Sequence, residues 1–119
     1  MNSKIKLKLT KDKLGAIIQG ITDITEALKR EVDQVKFDMK KMEMNAERTF
    51  LEDLKERLQL KHIQMSFAGK YNKSPLTFSF NSIEAFLLVK YSGYGFNPNA
   101  EYQFAVMAEI SDPICKTLL

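Results

Sequence analysis

The chain has 119 residues, of which 45% are hydrophobic and 28% are charged, and its formal net charge is +3. A chain of this size has room for one domain with one core, and its hydrophobic share is too high for a disordered chain. The longest apolar run, Ala85 to Val89, is far shorter than the ~18 residues that a membrane span needs, and no apolar signal core follows the cationic N-terminus. With a single cysteine, Cys115, the composition predicts one cytoplasmic domain over residues 1–119 without an intramolecular disulfide.

The first predicted element is a strand near residues 4–10. Apolar and polar side chains alternate there, as expected for a strand with one buried and one wet face. The two sets are Ile5, Leu7 and Leu9 on one side and Lys4, Lys6, Lys8 and Thr10 on the other. Lysines on an exposed strand face keep the strand soluble and block pairing with other chains, and the alternative is that they bind nucleic acid.

A long helix is predicted from about residue 11 to residue 60. Thr10 is suited to cap it, and no proline lies between Lys11 and Lys61. From Leu14 to Ala46, ten positions follow at alternating intervals of four and three, and all except Thr25 are apolar, which is the heptad spacing of a coiled coil. Beyond Ala46 the spacing changes to successive fours, and Asn45 is the expected position of any break in the helix.

An unbroken helix of roughly 48 residues is about 70 Å long, which the rest of so short a chain cannot cover. The middle of the helix, about residues 28–55, is therefore predicted to project as a coiled-coil arm that joins copies of the chain into a homodimer or higher oligomer. The alternative is that the apolar stripe faces the chain's own core. The predicted interface residues are Leu28, Val32, Val35, Met39, Met42, Ala46 and Phe50.

Two further strands are predicted near residues 62–68 and 76–80, where apolar side chains again alternate with polar ones. Turn-forming residues lie between them, from Gly69 to Pro75, so the two strands are expected to form a hairpin. A helix over about residues 82–91 follows, with Asn81 or Ser82 as its cap. Residues 100–119 fit both a strand and a helix, and the longer i+4 stripe favours a helix with a break or kink at Asp112–Pro113. The predicted fold class is therefore α+β, with a small sheet of about three strands, one long helix and two shorter C-terminal helices.

Few residues have the chemistry of a catalytic or metal site. His62 is the only histidine, and it is expected at the exposed start of the strand near residues 62–68. Cys115 is expected to be a small core residue of the last helix. A zinc site needs three or four closely spaced ligands, and a phosphate loop needs a longer glycine pattern than Gly93-Tyr94-Gly95. The sequence therefore predicts a non-enzymatic protein with no metal and no cofactor.

The sequence is compatible with three functions. The preferred one is protein–protein interaction by self-association through the long helix. The segments in which a strand leads into a capped helix resemble those of small bacterial or phage proteins, but this resemblance implies no activity. The second is a nucleic-acid accessory protein, in which N-terminal lysines contact phosphates and an aromatic loop stacks on bases. The third is a small ligand-binding domain or enzyme with a pocket at His62 or the tyrosines. The candidate nucleic-acid contacts are Lys4, Lys6, Lys8, Lys11, Lys13, Tyr91, Tyr94 and Phe96.

Overall fold

The computed structural model describes residues 4–68, 74–92 and 100–119. Within these ranges the chain is α+β, with a two-stranded antiparallel sheet and four helices. The elements in chain order are β1 (Ile5–Leu9), α1 (Lys11–Val32), α2 (Asp38–Ala68), β2 (Leu76–Phe80), α3 (Ser82–Lys90) and α4 (Glu101–Leu118).

Helix α1 is the centre of the core. It begins as predicted after Thr10, whose hydroxyl accepts a hydrogen bond from the Lys13 backbone N–H at 3.3 Å. Helices α2 and α4 and strand β1 all pack against α1. Its largest side chains are almost fully buried, and Gly20 lets α4 approach closely, since a Cβ at Gly20 would lie 3.1 Å from the Met107 sulfur. The buried large residues are Leu14, Ile17, Ile21, Ile24 and Leu28.

The predicted long helix over residues 11–60 is in fact two helices. The chain leaves the helix after Val32, and α2 begins at Asp38, so the predicted break near Asn45 is wrong. Asn45 lies inside α2, where its carbonyl accepts a hydrogen bond from the Thr49 hydroxyl. Packing explains the true position of the break, because the residues flanking it pack partly against the core and the helices on both sides bury apolar residues in one cluster. The return of the chain at residues 33–37 lets α2 cover α1.

Helix α2 extends beyond residue 60, where the long helix was predicted to end, and the strand predicted near residues 62–68 is wrong. Residues 61–68 continue α2, in which Met65 is buried while Ile63 and Phe67 are exposed. Three alternating apolar residues fit either element. Phe67 follows Ile63 by four positions, so in a helix these two share a face on which Met65 does not lie. At about 1.5 Å per residue the 31 residues of α2 are about 46 Å long, close to the largest dimension of the molecule, 50 Å.

Strand β2 therefore cannot form the predicted hairpin with residues 62–68 and pairs antiparallel with β1 instead. Leu7 lies opposite Phe78 at the centre of the register. One face of the sheet is turned to the core and the other to solvent. Of the turn predicted at residues 69–75, residues 69–73 lie outside the described ranges.

The last two helices agree with the sequence prediction. A capping box starts α3, in which the Asn81 side chain accepts from the Glu84 N–H at 2.8 Å and the Glu84 carboxylate accepts from the Asn81 N–H at 2.9 Å. Residues 101–118 form a helix, which settles the choice between strand and helix. Of the break or kink predicted at Asp112–Pro113, the break does not occur, because the helix continues through Pro113.

The helical assignment of residues 61–68 makes a stability prediction that a strand would not. Replacing Met65 by Ala should lower the free energy of unfolding by about 2–5 kcal/mol, because Met65 is 2% exposed in the core. The matched change Phe67→Ala should alter it by only about 0.5 kcal/mol, because Phe67 is 87% exposed. Urea unfolding followed by circular dichroism measures both, and equal losses for the two variants would contradict the helix.

Candidate functional site

An apolar cluster is exposed where α2 begins. Three large side chains there are mostly in solvent: Phe37 is 79% exposed, Met39 77% and Met42 65%. Ala46, one turn further along α2, is also exposed. Met39, Met42 and Ala46 are spaced by three and four residues, so they share one face of the helix. These four residues are called the α2 patch below.

Phe37 is unusual for the position that it occupies. Its carbonyl accepts the Lys41 backbone N–H at 3.0 Å, so Phe37 stands where a helix cap stands. Residues that favour this position have a side-chain oxygen that accepts a helix N–H, and a phenyl ring has none. Because the ring is also exposed, neither helix capping nor core packing accounts for Phe37.

The seven residues predicted as an oligomer interface fall into three groups. Leu28 is 1% exposed in the chain's own core. Val32, Val35 and Phe50 are partly buried and pack against that core. The remaining three are on the surface, as part of the α2 patch. A single chain contains no partner, so self-association stays a prediction. The exposed part of the predicted interface is smaller than the seven residues that the sequence indicated.

A second exposed apolar stripe lies near the C-terminal end of α2 and was missed from the sequence. It consists of Leu60, Ile63 and Phe67, which are 63%, 51% and 87% exposed. Their spacing of i, i+3 and i+7 is the helical signal that identifies such a stripe. It was missed because the alternation of residues 62–68 was interpreted as a strand.

The outer face of the sheet is basic. Lys4, Lys6 and Lys8 are exposed, and across the sheet Ser79 lies opposite Lys6 and Thr77 opposite Lys8. Within the described part of the chain, none of the three lysines has an ion pair. The exposure predicted for them from the alternation of β1 is therefore correct.

Lys11 and Lys13, which were also predicted to contact nucleic acid, are less available to a ligand than the three strand lysines. The Lys13 ammonium is 2.7 Å from Glu109 Oε1, and this hydrogen bond and charge raise the pKa of Lys13. Lys11, in the first turn of α1, is half-buried. Among these five lysines, Lys4, Lys6 and Lys8 are the ones that are both exposed and without an ion pair in the described ranges.

Tyr91, predicted as a base-stacking residue, is part of a polar cluster between α2 and the end of α3. Its ring is buried, and its hydroxyl donates to Glu47 Oε1 at 2.7 Å. The Lys90 ammonium donates to Glu47 Oε2 at 2.7 Å and lies 5.2 Å from the centre of the Tyr91 ring. Burial and the hydrogen bond to Glu47 raise the pKa of Tyr91 to about 12. The ring is therefore not available for stacking, and Tyr94 and Phe96 lie outside the described residues.

His62 and Cys115 lie on different helices. His62 is on α2 and not at the start of a strand; its Nε2 lies 3.3 Å from the position of a Cβ at Gly15, beside an open groove lined also by Gln59 and Ile63. Cys115 is half-buried on α4. Across residues 4–68, 74–92 and 100–119, no group of three His, Cys, Asp or Glu side chains is placed to hold a metal ion. No helix in those ranges is long and apolar enough to cross a membrane.

No protein-family model, no curated protein and no solved structure matches the chain. The α2 patch, the stripe of Leu60, Ile63 and Phe67, and the basic face of the sheet are surfaces whose exposure the stability of the fold does not explain.

The contact between Tyr91 and Glu47 predicts a pH-dependent stability difference. The raised pKa favours the protonated phenol in the folded state, so its contribution is complete below about pH 10 and is lost as the pH rises toward 12. Wild type should be about 1–2 kcal/mol more stable than Tyr91→Phe at pH 7, and the difference should shrink by about 1 kcal/mol between pH 9 and pH 11. Urea titrations at each pH measure it.

The exposed Tyr102 provides the control for that measurement. Tyr102 is 56% exposed, so Tyr102→Phe should leave the free energy of unfolding within about 0.5 kcal/mol of wild type at pH 7. A gap between wild type and Tyr91→Phe that stays constant from pH 8 to pH 11 would show that the Tyr91 hydroxyl has no such contact with Glu47.

Proposed function

We propose that the chain acts by protein–protein interaction and not by catalysis, and that it forms a homodimer through the α2 patch. The exposure of Phe37, Met39 and Met42 is the observation that supports this proposal. A soluble protein rarely keeps a cluster of large apolar side chains in water unless another surface covers them. A cytoplasmic setting, in which Cys115 stays reduced, is part of the same proposal.

The chemistry of the patch suits a protein partner. Methionine side chains are flexible and polarisable, so they adapt to an opposing apolar surface, and a phenylalanine supplies a rigid anchor. A standard interface takes about 800 Å² from each partner, which is more than three side chains provide. Ala46, the fourth residue of the patch, and the half-buried Phe50 extend the contact. The expected dimer is of the weak class, with a dissociation constant on the order of micromolar.

Two features favour a second copy as the partner. Charges around the patch are mixed in sign, with Lys36 and Lys40 beside Asp38 and Glu43, so an identical surface is not repelled. The three-and-four spacing of Met39, Met42 and Ala46 is that of a coiled-coil seam. In an antiparallel pair of α2 helices with its two-fold axis near residue 44, Met42 of each copy packs against the small Ala46 of the other.

Removing the patch should convert the dimer to a monomer. Wild type at about 100 μM should show a mass near twice the 13.7 kDa of the chain in light scattering, because a micromolar dimer is then largely assembled. The double variant Met39→Ser, Met42→Ser should show a single chain mass. The matched variant Leu60→Ser, Ile63→Ser removes two other exposed apolar residues, near the C-terminal end of α2, and should stay dimeric.

Two outcomes contradict the proposal. A wild-type mass of one chain at every concentration excludes self-association. A monomer produced by the Leu60→Ser, Ile63→Ser variant, with Met39→Ser, Met42→Ser still dimeric, moves the interface to the other end of α2.

The orientation of the helices can be tested by cross-linking in a Cys115→Ser background. Antiparallel pairing predicts that Met42→Cys mixed with Ala46→Cys forms a mixed disulfide dimer in preference to either self-linked dimer, because Met42 then faces Ala46 of the other copy. Non-reducing electrophoresis, with one variant carrying a size tag, separates the three products. Self-linked dimers of each variant without the mixed product indicate a parallel pair.

A further inference from the structure

The positive charge of the sheet's outer face continues beyond β1. Along the free edge of β2, residues 76–79 form a groove with Arg57, Leu58 and Lys61 of α2. Lys61 is exposed and has no ion pair among the residues that the structure describes. Lysines from β1 and from α2 thus border the hydroxyls of Thr77 and Ser79, an arrangement that the sequence alone does not bring together.

The acidic side chains found at the margins of the sheet are already paired. Glu109, beside the groove between β1 and α4, binds Lys13 at 2.7 Å. Glu84, at the start of α3, is 2.8 Å from the Arg57 guanidinium and caps its own helix. These acids neutralise Lys13 and Arg57 but leave Lys4, Lys6 and Lys8 without a counter-charge in the described ranges. The outer face is therefore suited to an external anion.

The spacing of the lysines suits a row of phosphates. Alternate residues of a strand are about 6.8 Å apart, so Lys4, Lys6 and Lys8 extend over about 13 Å. A DNA strand carries one phosphate per ~3.4 Å of helix axis, so flexible lysine side chains over that distance can each reach a different phosphate. The hydroxyls opposite them, on Thr77 and Ser79, can donate further hydrogen bonds to phosphate oxygens.

The composition of the face also limits the kind of nucleic acid. The described residues of the outer face are lysine, threonine and serine, with no aromatic ring on which an unpaired base could stack. Recognition by stacking is therefore not the mode that this face offers. Contact with the backbone of a duplex needs only the charges and hydroxyl donors that are present.

We propose that the outer face of the β1–β2 sheet binds the phosphate backbone of duplex DNA without sequence specificity, through Lys4, Lys6 and Lys8. This inference does not depend on the homodimer, because the α2 patch lies at the other end of α1. Binding through three phosphates should give a slope of about −3 in a plot of log binding constant against log salt concentration.

The test is fluorescence anisotropy with a labelled 20-base-pair duplex of arbitrary sequence, titrated with the full chain between about 50 and 200 mM NaCl. The triple variant Lys4→Gln, Lys6→Gln, Lys8→Gln should bind at least tenfold more weakly at the lowest salt and should lose most of the slope. The matched variant Lys29→Glu, Arg30→Gln lowers the net charge by the same three units at the far end of α1 and should bind like wild type. Circular dichroism checks that both variants are folded.

Several results overturn the proposal. One is the absence of duplex binding by the wild type at low salt. Others are equal affinity of the strand triple variant and the wild type, or equal losses in the strand variant and the α1 variant, which would indicate net charge and not this face. Binding to vesicles of phosphatidylserine and phosphatidylcholine with no binding to the duplex would assign the face to an anionic membrane surface.

Discussion

The burial of α1 is the constraint on which the rest of the structure depends. Its large side chains from Leu14 to Leu28 cannot be covered by one neighbour, and its small residues Ala16, Gly20 and Ala27 are buried as well. Gly20 lies against Met107 of α4, so α4 packs closely on the side of α1 that carries small residues. Helix α2 supplies Leu51, Leu54 and Leu58 to the same core. Because α2 has to run back along α1, the chain reverses at residues 33–37, and this reversal places Phe37 and Met39 at an exposed end of the helix pair.

The same constraint leaves the outer face of the sheet open. Strands β1 and β2 bury Leu7 and Phe78 against the helices, and nothing in the described chain lies on the opposite face. An antiparallel sheet tolerates one wet face if its side chains are polar, which Lys6 and Ser79 satisfy. Solubility and protection against pairing with other chains explain polar and charged side chains at these positions. The excess of one sign of charge is the property on which the proposed binding to an external anion rests.

Local signals in the sequence were sufficient for about half of the fold. Alternation identified β1 and β2, and capping residues such as Asn81 identified the start of α3, because these signals act over a few residues. The reversal at residues 33–37 has no glycine or proline, so only the packing of Val32 and Val35 against a distant core reveals it. Pairing of β1 with β2 is equally non-local. For the candidate sites, exposure of the strand lysines followed from alternation, whereas the burial of Leu28 depended on where the chain turned back.

The α2 patch and the outer face of the sheet are far enough apart that one can join two chains while the other contacts DNA. The strand lysines precede α1 and the α2 patch follows it, and a helix of 22 residues is about 33 Å long. A homodimer joined through the α2 patch therefore leaves both sheet faces open, each at a distance from the dimer axis. Two phosphate-binding faces on one dimer would bind a long duplex more tightly than either face alone where both reach the same duplex, because the second contact is then intramolecular. Self-association would then raise the affinity for long duplexes more than for short ones, without any new contact to DNA.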